Sequence, residues 1–429
     1  MLKQKIVLLI LMSSIGHSAI KSQTINDSIS NAQAKKLVSW LASDRLQGRV
    51  NFTRQQLEVG TFIEHEFREC GLLPYKGLSN YYIPFDLTEN PLPDQFSLDW
   101  NGSLLPSSSY ICFSANLYIS NKNLGEWSII RSDSCISDSI LYSLWKKPTN
   151  TLIWVDANSE DIHKLINRVK LPLYDPNGNI LIVARPDAPA HMHFSTNMDY
   201  VRTVLWDVVG ILPGRTKPDE IILFSAHYDH VDCGISGKSE GIYNGANDDA
   251  SGTAAVLLLA RYFAMRHDNG RTIAFCLFAG EELGLLGSQA FVKCMHTENI
   301  KAVINIEMIG KTTLTGKNAF AVIGSDYSNL SSILSKNLIG DSITVFNFEK
   351  AQDQRSLFQR SDNFPFFIKG IPAHSLMCSD DDDPCYHKTC DIAKSIDFNN
   401  MTRVIQAIAT SCRTLIKGND TPQISYERH

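Results

Sequence analysis

The sequence predicts an α/β fold: a three-layer α/β/α sandwich built on a mixed, mostly parallel sheet, with an inserted accessory segment. Three observations carry this expectation. From about Val204 onward, short apolar runs alternate with longer apolar stretches at helical spacing. Three of the short runs end abruptly in polar residues: LFSA in His227, CLFAG in Glu281 and Glu282, VINI in Glu307. Between about 80 and 200 the rhythm breaks into short apolar runs separated by Ser, Asn, Pro and Gly clusters, the pattern of a β-rich or mixed insertion.

Residues 1–22 have the order of an export signal. Lys3 and Lys5 precede an apolar run, Ile6 to Leu11, and small residues at Ser18, Ala19 and Ser22 offer cleavage points. The run is too short to span a bilayer, and no later stretch is long enough. Residues 23–80 read as a helical part packing on the main α/β domain: Ala34 to Leu41, a break at SDRLQGR, then an amphipathic Gln55 to Cys70 stopped by Gly71. Residues 81–200 are assigned to the accessory or lid-like insertion, with apolar runs at Ser128 to Ile130, Thr151 to Val155 and Ile180 to Ala184.

The main α/β domain is placed at 201–418, followed by a short tail, 419–429. Strands are expected at Val204 to Leu212 and Ile221 to Ala226. A strongly apolar helix follows at Ser251 to Met265, capped by Asp249 or Ser251. Next come a strand at Thr272 to Phe278, a helix at Leu285 to Met295, a strand at Ala302 to Ile306, a helix at Leu330 to Leu338, and a closing helix at Phe398 to Ile416.

Composition narrows the function. The 429 residues are 44% hydrophobic and 20% charged, ordinary for a globular protein, and a formal net charge of −5 gives no basic footprint for nucleic acid. Ten cysteines are too sparse for a disulfide scaffold. Cys276, inside an apolar run, is expected as a buried thiol, and two of Cys378, Cys385 and Cys390 as a disulfide pinning the loop around His387. Asn-x-Ser/Thr sites stand at Asn26, Asn51, Asn101, Asn329 and Asn400.

In an open α/β sheet the polar strand ends converge on one edge. His227, Glu281, Glu282 and Glu307 are then neighbours, and Asp248, opening a helix, and His387, in a late loop, can join them. Two His and several carboxylates without a thiolate suit one or two zinc-like ions with positions left open for water. Asp380 to Asp383 is the one acidic block. It reads as a solvated loop, with the sharper alternative that one carboxylate holds a substrate's free α-amine. Phe364, Phe366 and Phe367 are expected in the core rather than in a pocket.

AHYDH, NGANDDASG, FAGEELGLLGS, NIEMIG, RSDNFPFFIKGIPA and CYHKTCD, in this order, resemble the M28 family of zinc aminopeptidases of the secreted bacterial type. LASDRLQGR and DVVGILPG resemble stretches flanking the metal motifs there. The resemblance implies two Zn2+ ions and peptide substrates. It makes His227 and Glu307 ligands of one ion, Glu282 and His387 ligands of the other, and Asp248 the bridge. It makes Glu281 the general base and Asp229 the residue that orients His227, and gives no part to His230, Asp232 or Asp249. Three departures stand out. Glu307 replaces the usual Asp, which in related two-zinc peptidases goes with carboxypeptidase activity; Asn363 replaces the His of an SDH-like motif; and Lys388-Thr389-Cys390 replaces a Thr-Pro. The reading is an exported exopeptidase, an aminopeptidase. The alternatives are a carboxypeptidase of the same fold, a glutaminyl-peptide cyclotransferase and a non-catalytic binding relative.

Overall fold

The computed structural model describes residues 25–75, 77–87, 96–105, 109–113, 122–132, 144, 149–155, 180–196, 203–231, 241–313, 315–347, 357–380 and 382–425. The export signal read at 1–22 and Asp232 lie outside the described residues.

A nine-stranded mixed sheet organises the chain. Its strands are β1 Leu73–Pro74, β2 Tyr82–Leu87, β3 Thr203–Leu212, β4 Lys217–His227, β5 Arg271–Phe278, β6 Ile300–Glu307, β7 Ala319–Val322, β8 Thr344–Asn347 and β9 Ala373–Met377. The order across the sheet is β1-β3-β5-β4-β6-β9-β7-β8, with β2 also on β3. The four central strands β5, β4, β6 and β9 run parallel, while β1, β2 and β3 on one flank and the β9–β7 pair on the other are antiparallel. All four central strands therefore end at one edge, which is where a parallel sheet exposes its carboxyl termini.

Period-2 alternation separates two cores. Ile222, Phe224 and Ala226 of β4, with Ile273, Phe275 and Leu277 of β5, face one side. Leu223, Ala274, Cys276 and Phe278 face the other. On the first side lie α1 Asn31–Leu41, α2 Arg54–Glu69 and α3 Ala250–Arg266; on the second lie α4 Leu286–Cys294 and, after α5 Leu330–Asn337, α6 Asn363–Ile368. The last long helix, α7 Phe398–Ser411, returns to the first side; it stops at Cys412, and a separate short helix Arg413–Lys417 follows where one helix to Ile416 is expected. Along α3 every residue from Ala250 to Ala260 is buried, so it reads as apolar all round. Its first turn lies so close to β6 that a Cβ on Gly252 would stand 2.2 Å from the Ile306 carbonyl oxygen. Asp249 caps it, its Oδ1 accepting from Gly252 N–H at 2.9 Å.

The N-terminal helices share the first core with α3, Leu37, Val38, Val59, Ile63 and Phe67 being fully or nearly buried in it. Strand β2, placed by the sequence inside the insertion, pairs with β3 along its whole length, from Thr203 opposite Leu87 to Val208 opposite Tyr82. The accessory segment therefore leaves the sheet after Leu87 rather than at residue 81, and Pro84 within β2 masks the strand signal. The described part of the insertion forms two four-stranded sheets, 103–104/96–100/192–196/122–123 and 110–113/180–184/151–155/128–132. They enclose a core of their own that includes Trp100, Trp127, Leu152, Leu181 and Phe194. Among the described residues no helix is long and apolar enough to cross a membrane.

Candidate metal centre

Each group at the carboxyl edge is delivered by the strand or helix junction next to it. His227 is the last residue of β4 and Glu307 the last of β6, both on the α4/α6 face of the sheet. Glu281 and Glu282 lie in the turn between β5 and α4, and Asp248 lies just before the cap of α3. His387 comes from the loop after β9, bracketed by a Cys385–Cys390 disulfide with Cα atoms 5.2 Å apart. The disulfide falls where the sequence expects one, and Cys378 and Cys276 remain buried free thiols.

These side chains meet in two groups that share Asp248. In the first, His227 Nε2 is 3.2 Å from Asp248 Oδ1 and 3.2 Å from Glu307 Oε1. In the second, His387 Nε2 is 3.0 Å from Asp248 Oδ2 and 3.0 Å from Glu282 Oε1. The first group is sealed, His227 being 1% and Glu307 5% exposed; the second opens to solvent on the side of His387. Glu281 stands beside both, its Oε2 4.0 Å from His227 Nε2.

His230, outside the ligand pattern that the resemblance implies, stands beside the second group. The structure places its Nδ1 3.0 Å from Glu282 Oε1, within the second group. Its Nε2 is buried and has no partner among the described residues. Ligating imidazoles almost always donate their other nitrogen, so this ring is better used as a hydrogen-bond donor to Glu282 than as a ligand.

Asp229 lies beside His227. His227 Nδ1 is 3.2 Å from the Asp229 backbone carbonyl and 3.6 Å from its carboxylate. The carboxylate also accepts from the N–H groups of Glu281 and Glu282 and from Asn51 Nδ2. Ser361 donates to Glu307 Oε2 at 2.7 Å and is itself held by Asn305 Nδ2, which also donates to Ser375; Ser375 in turn donates to Asn363 Oδ1. Asn363 thus closes a buried polar network beneath Glu307. Asp391 holds the Asp248 loop, accepting from Asn247 N–H at 2.9 Å and Asp248 N–H at 3.1 Å.

Sequence reasoning missed the contribution of the N-terminal segment. Arg49 is fully buried and donates to the carbonyls of Leu41, Tyr228, Asn244 and Gly245. Asn51, at one of the Asn-x-Ser/Thr sites, is 6% exposed and donates to Asp229; Asn400, at another, is likewise buried. The acidic block is only partly a solvated loop: Asp380 is buried and Asp383 accepts from Asn247 Nδ2, while Asp381 lies outside the described residues. Phe366 is core as expected, and Phe364 and Phe367 pack in an apolar cluster with Met308 and Tyr386.

Burial and mutual charge set the proton affinities in the metal-free protein. Burial alone would lower the affinity of His227, but Glu307, Glu281 and Asp229 raise it well above the ordinary range. Burial opposes His387 too, yet Asp248 and Glu282 lift it to about 10. Glu281 is raised well above the ordinary carboxylate range by burial and by Glu282 and Glu307, against the pull of His227. Glu282, despite burial and Asp248, is held down to about 2 by His230 and His387. The donor set fits a cation: ligand-type atoms of His227, Asp248 and Glu307, and of His230, Asp248, Glu282 and His387, converge within 4.8 Å, and they are imidazole nitrogens and carboxylate oxygens without a thiolate.

Residues 207–412, 206 of the 429, match the model of peptidase family M28. Over this part the chain is similar to the M28 peptidases. The chain is similar to a probable zinc metalloprotease of Pyricularia oryzae, 39% identical over 109 residues, 25% of this chain and 21% of that protein. It is also similar to aminopeptidase YwaD of Bacillus subtilis, 25% identical over 231 residues, 51% of this chain and 46% of that one. The matches thus span between about a fifth and a half of these curated relatives. In fold, an aminopeptidase from Aneurinibacillus sp. strain AM-1 superposes with a TM-score of 0.55 at 16% identity, over 94% of this chain and 98% of that one. That superposition covers more of the chain than the family-matched stretch.

Proposed function

We propose that the protein is an exported two-zinc aminopeptidase that hydrolyses peptide bonds and releases N-terminal residues. The observation that carries this is the pair of ligand groups meeting on Asp248, with Glu281 beside them. His227, Asp248 and Glu307 would hold one ion, and Asp248, Glu282 and His387 the other, with His230 steadying Glu282. A pair of bound zinc ions supplies Lewis acidity to the peptide carbonyl and acidifies the attacking water. Glu281, whose buried carboxylate has a raised proton affinity, takes the proton of that water at Oε2 and returns it to the leaving amine. Ser361 and the polar network below it keep Glu307 from swinging, and Asp391 fixes the loop of Asp248. Export is supported by the charge and size order of residues 1–22 and by the disulfide around His387, which an oxidising compartment preserves.

The test is a metal count on the purified protein with a screen of amino-blocked and carboxy-blocked peptides. Two equivalents of zinc and cleavage only where the amine is free support the aminopeptidase. Cleavage only where the carboxylate is free transfers the reading to a carboxypeptidase, in line with Glu307. A pyroglutamyl product from an N-terminal Gln peptide shows a cyclotransferase, and no stoichiometric metal revives the reading as a non-catalytic binding relative.

A further inference from the structure

Asn51 lies outside the family-matched stretch, yet it reaches the turn that carries Glu281. At φ +69, Gly280 turns the chain so that three successive N–H groups are offered to side-chain oxygens. Gly280 N–H donates to Asn51 Oδ1 at 3.2 Å, Glu281 N–H to Asp229 Oδ1 at 3.2 Å, and Glu282 N–H to Asp229 Oδ2 at 3.3 Å. Asn51 Nδ2 donates to the same Asp229 Oδ2 at 2.6 Å. The orientation of the amide is forced, because a carboxylate only accepts and a backbone N–H only donates. Behind it, Gln56 Nε2 donates to Asn51 Oδ1 at 2.6 Å, while Gln56 Oε1 accepts from Phe52 N–H at 3.0 Å. Asp229 and Gln56 are 0% and 1% exposed, so no solvent replaces these bonds.

We propose that Asn51 is a positioning residue for the hydrolytic reaction, acting on Glu281 through the 280–282 turn and through Asp229. The inference rests on the peptidase reading above. With its oxygen Asn51 holds the first amide of the turn, and with its nitrogen it holds the carboxylate that captures the next two. Alanine would leave the Gly280 N–H orphaned in a dry site and Asp229 short of a donor. Aspartate would keep an acceptor for Gly280 and set a second carboxylate against Asp229.

The experiment compares full-length wild type, Asn51→Ala and Asn51→Asp by zinc content, by hydrogen exchange at residues 280–282, and by steady-state kinetics on an aminopeptidase substrate. Expected are wild-type zinc content, exchange at 280–282 accelerated while β4 keeps its protection, and kcat lowered about 10- to 100-fold with KM within about twofold, the scale seen when outer partners of a metal site are removed. Unaltered exchange or unaltered kcat in an active, metal-loaded background overturns the role of Asn51 alone. A wild-type protein inert toward every peptide overturns the peptidase reading and the role built on it, whatever the exchange shows. Should both Asn51 variants fail to fold, Gln56→Met leaves Asn51 in place but unbraced. The same split at smaller size then supports the proposal, and wild-type kinetics and exchange overturn it.

Discussion

At the scale of single residues, the division of labour between Glu281 and Glu282 is set by their neighbours rather than by their chemistry. Two imidazoles face Glu282 and hold it ionised, whereas Glu281 is pushed toward its protonated form by burial and by the carboxylates around it. Glu281→Gln should therefore leave the zinc content intact and lower kcat by about 10²- to 10⁴-fold, the usual worth of a general base, with KM little changed. Loss of metal in this variant would mean that Glu281 is a ligand instead. The metal-free centre also predicts a proton linkage. With a metal-free pKa of about 10, His387 is protonated at neutral pH and must lose its proton to bind a cation. Metal loading should release protons, and affinity should weaken steadily as the pH falls below about 10, by up to about tenfold per pH unit per proton released. Calorimetry in buffers of different ionisation enthalpy measures the proton count; a buffer-independent heat would show that the imidazoles are already neutral.

Elements matter here because the site is assembled from junctions far apart in sequence. Arg49 donates to four carbonyl oxygens, three of which tie the segment before α2 to the residues after β4 and before α3 while the fourth belongs to Leu41 at the end of α1, and its charge is buried. Burial lowers its proton affinity, while Asp248, Asp229 and Asp391 oppose that shift through space. Replacement by Met leaves those carbonyls unsatisfied and the nearby carboxylates without a counter-charge. The expected cost is at least about 3 kcal/mol in a denaturant melt, since breaking a buried polar set is among the costliest single changes. A variant within about 0.5 kcal/mol of wild type, the range of ordinary surface changes, would sink this account. The contrast between what the sequence shows and what it hides follows from the same geometry. His227, Glu281, Glu282 and Glu307 are legible because each interrupts an apolar strand run at the edge where parallel strands end. Arg49 and Asn51 are not, because the partners that tie them to the site lie 178 or more residues away, and neither sits at the end of an apolar run. β2 hides behind Pro84, and the short flanking strands β7 and β8, four residues each, carry too little periodicity to be seen.

For the whole molecule, the decisive feature is that the insertion departs from and returns to neighbouring strands of one sheet. Leu87 closes β2 and Thr203 opens β3, and the two are direct partners in the antiparallel ladder. Residues directly opposite one another in such a ladder stand about 4.5–5.5 Å apart, a gap that a two-residue turn can close. The insertion has its own core, built on Trp100, Trp127 and Phe194, while every residue of the two ligand groups comes from the main domain. Replacing residues 88–202 by Asn-Gly should therefore give a folded protein in which β2 and β3 form a hairpin. Zinc content should match the full chain, because no ligand is removed. Hydrolysis of dipeptide-sized substrates should survive, since Glu281, Asp229 and Asn51 all remain. Metal content and circular dichroism check the first expectation, and kcat/KM on a dipeptide against a longer peptide checks the second. If only the longer peptide loses activity, the two small sheets serve substrate binding. If the shortened chain fails to take up zinc, the insertion braces the metal centre, and its separate core is a poor guide to its independence.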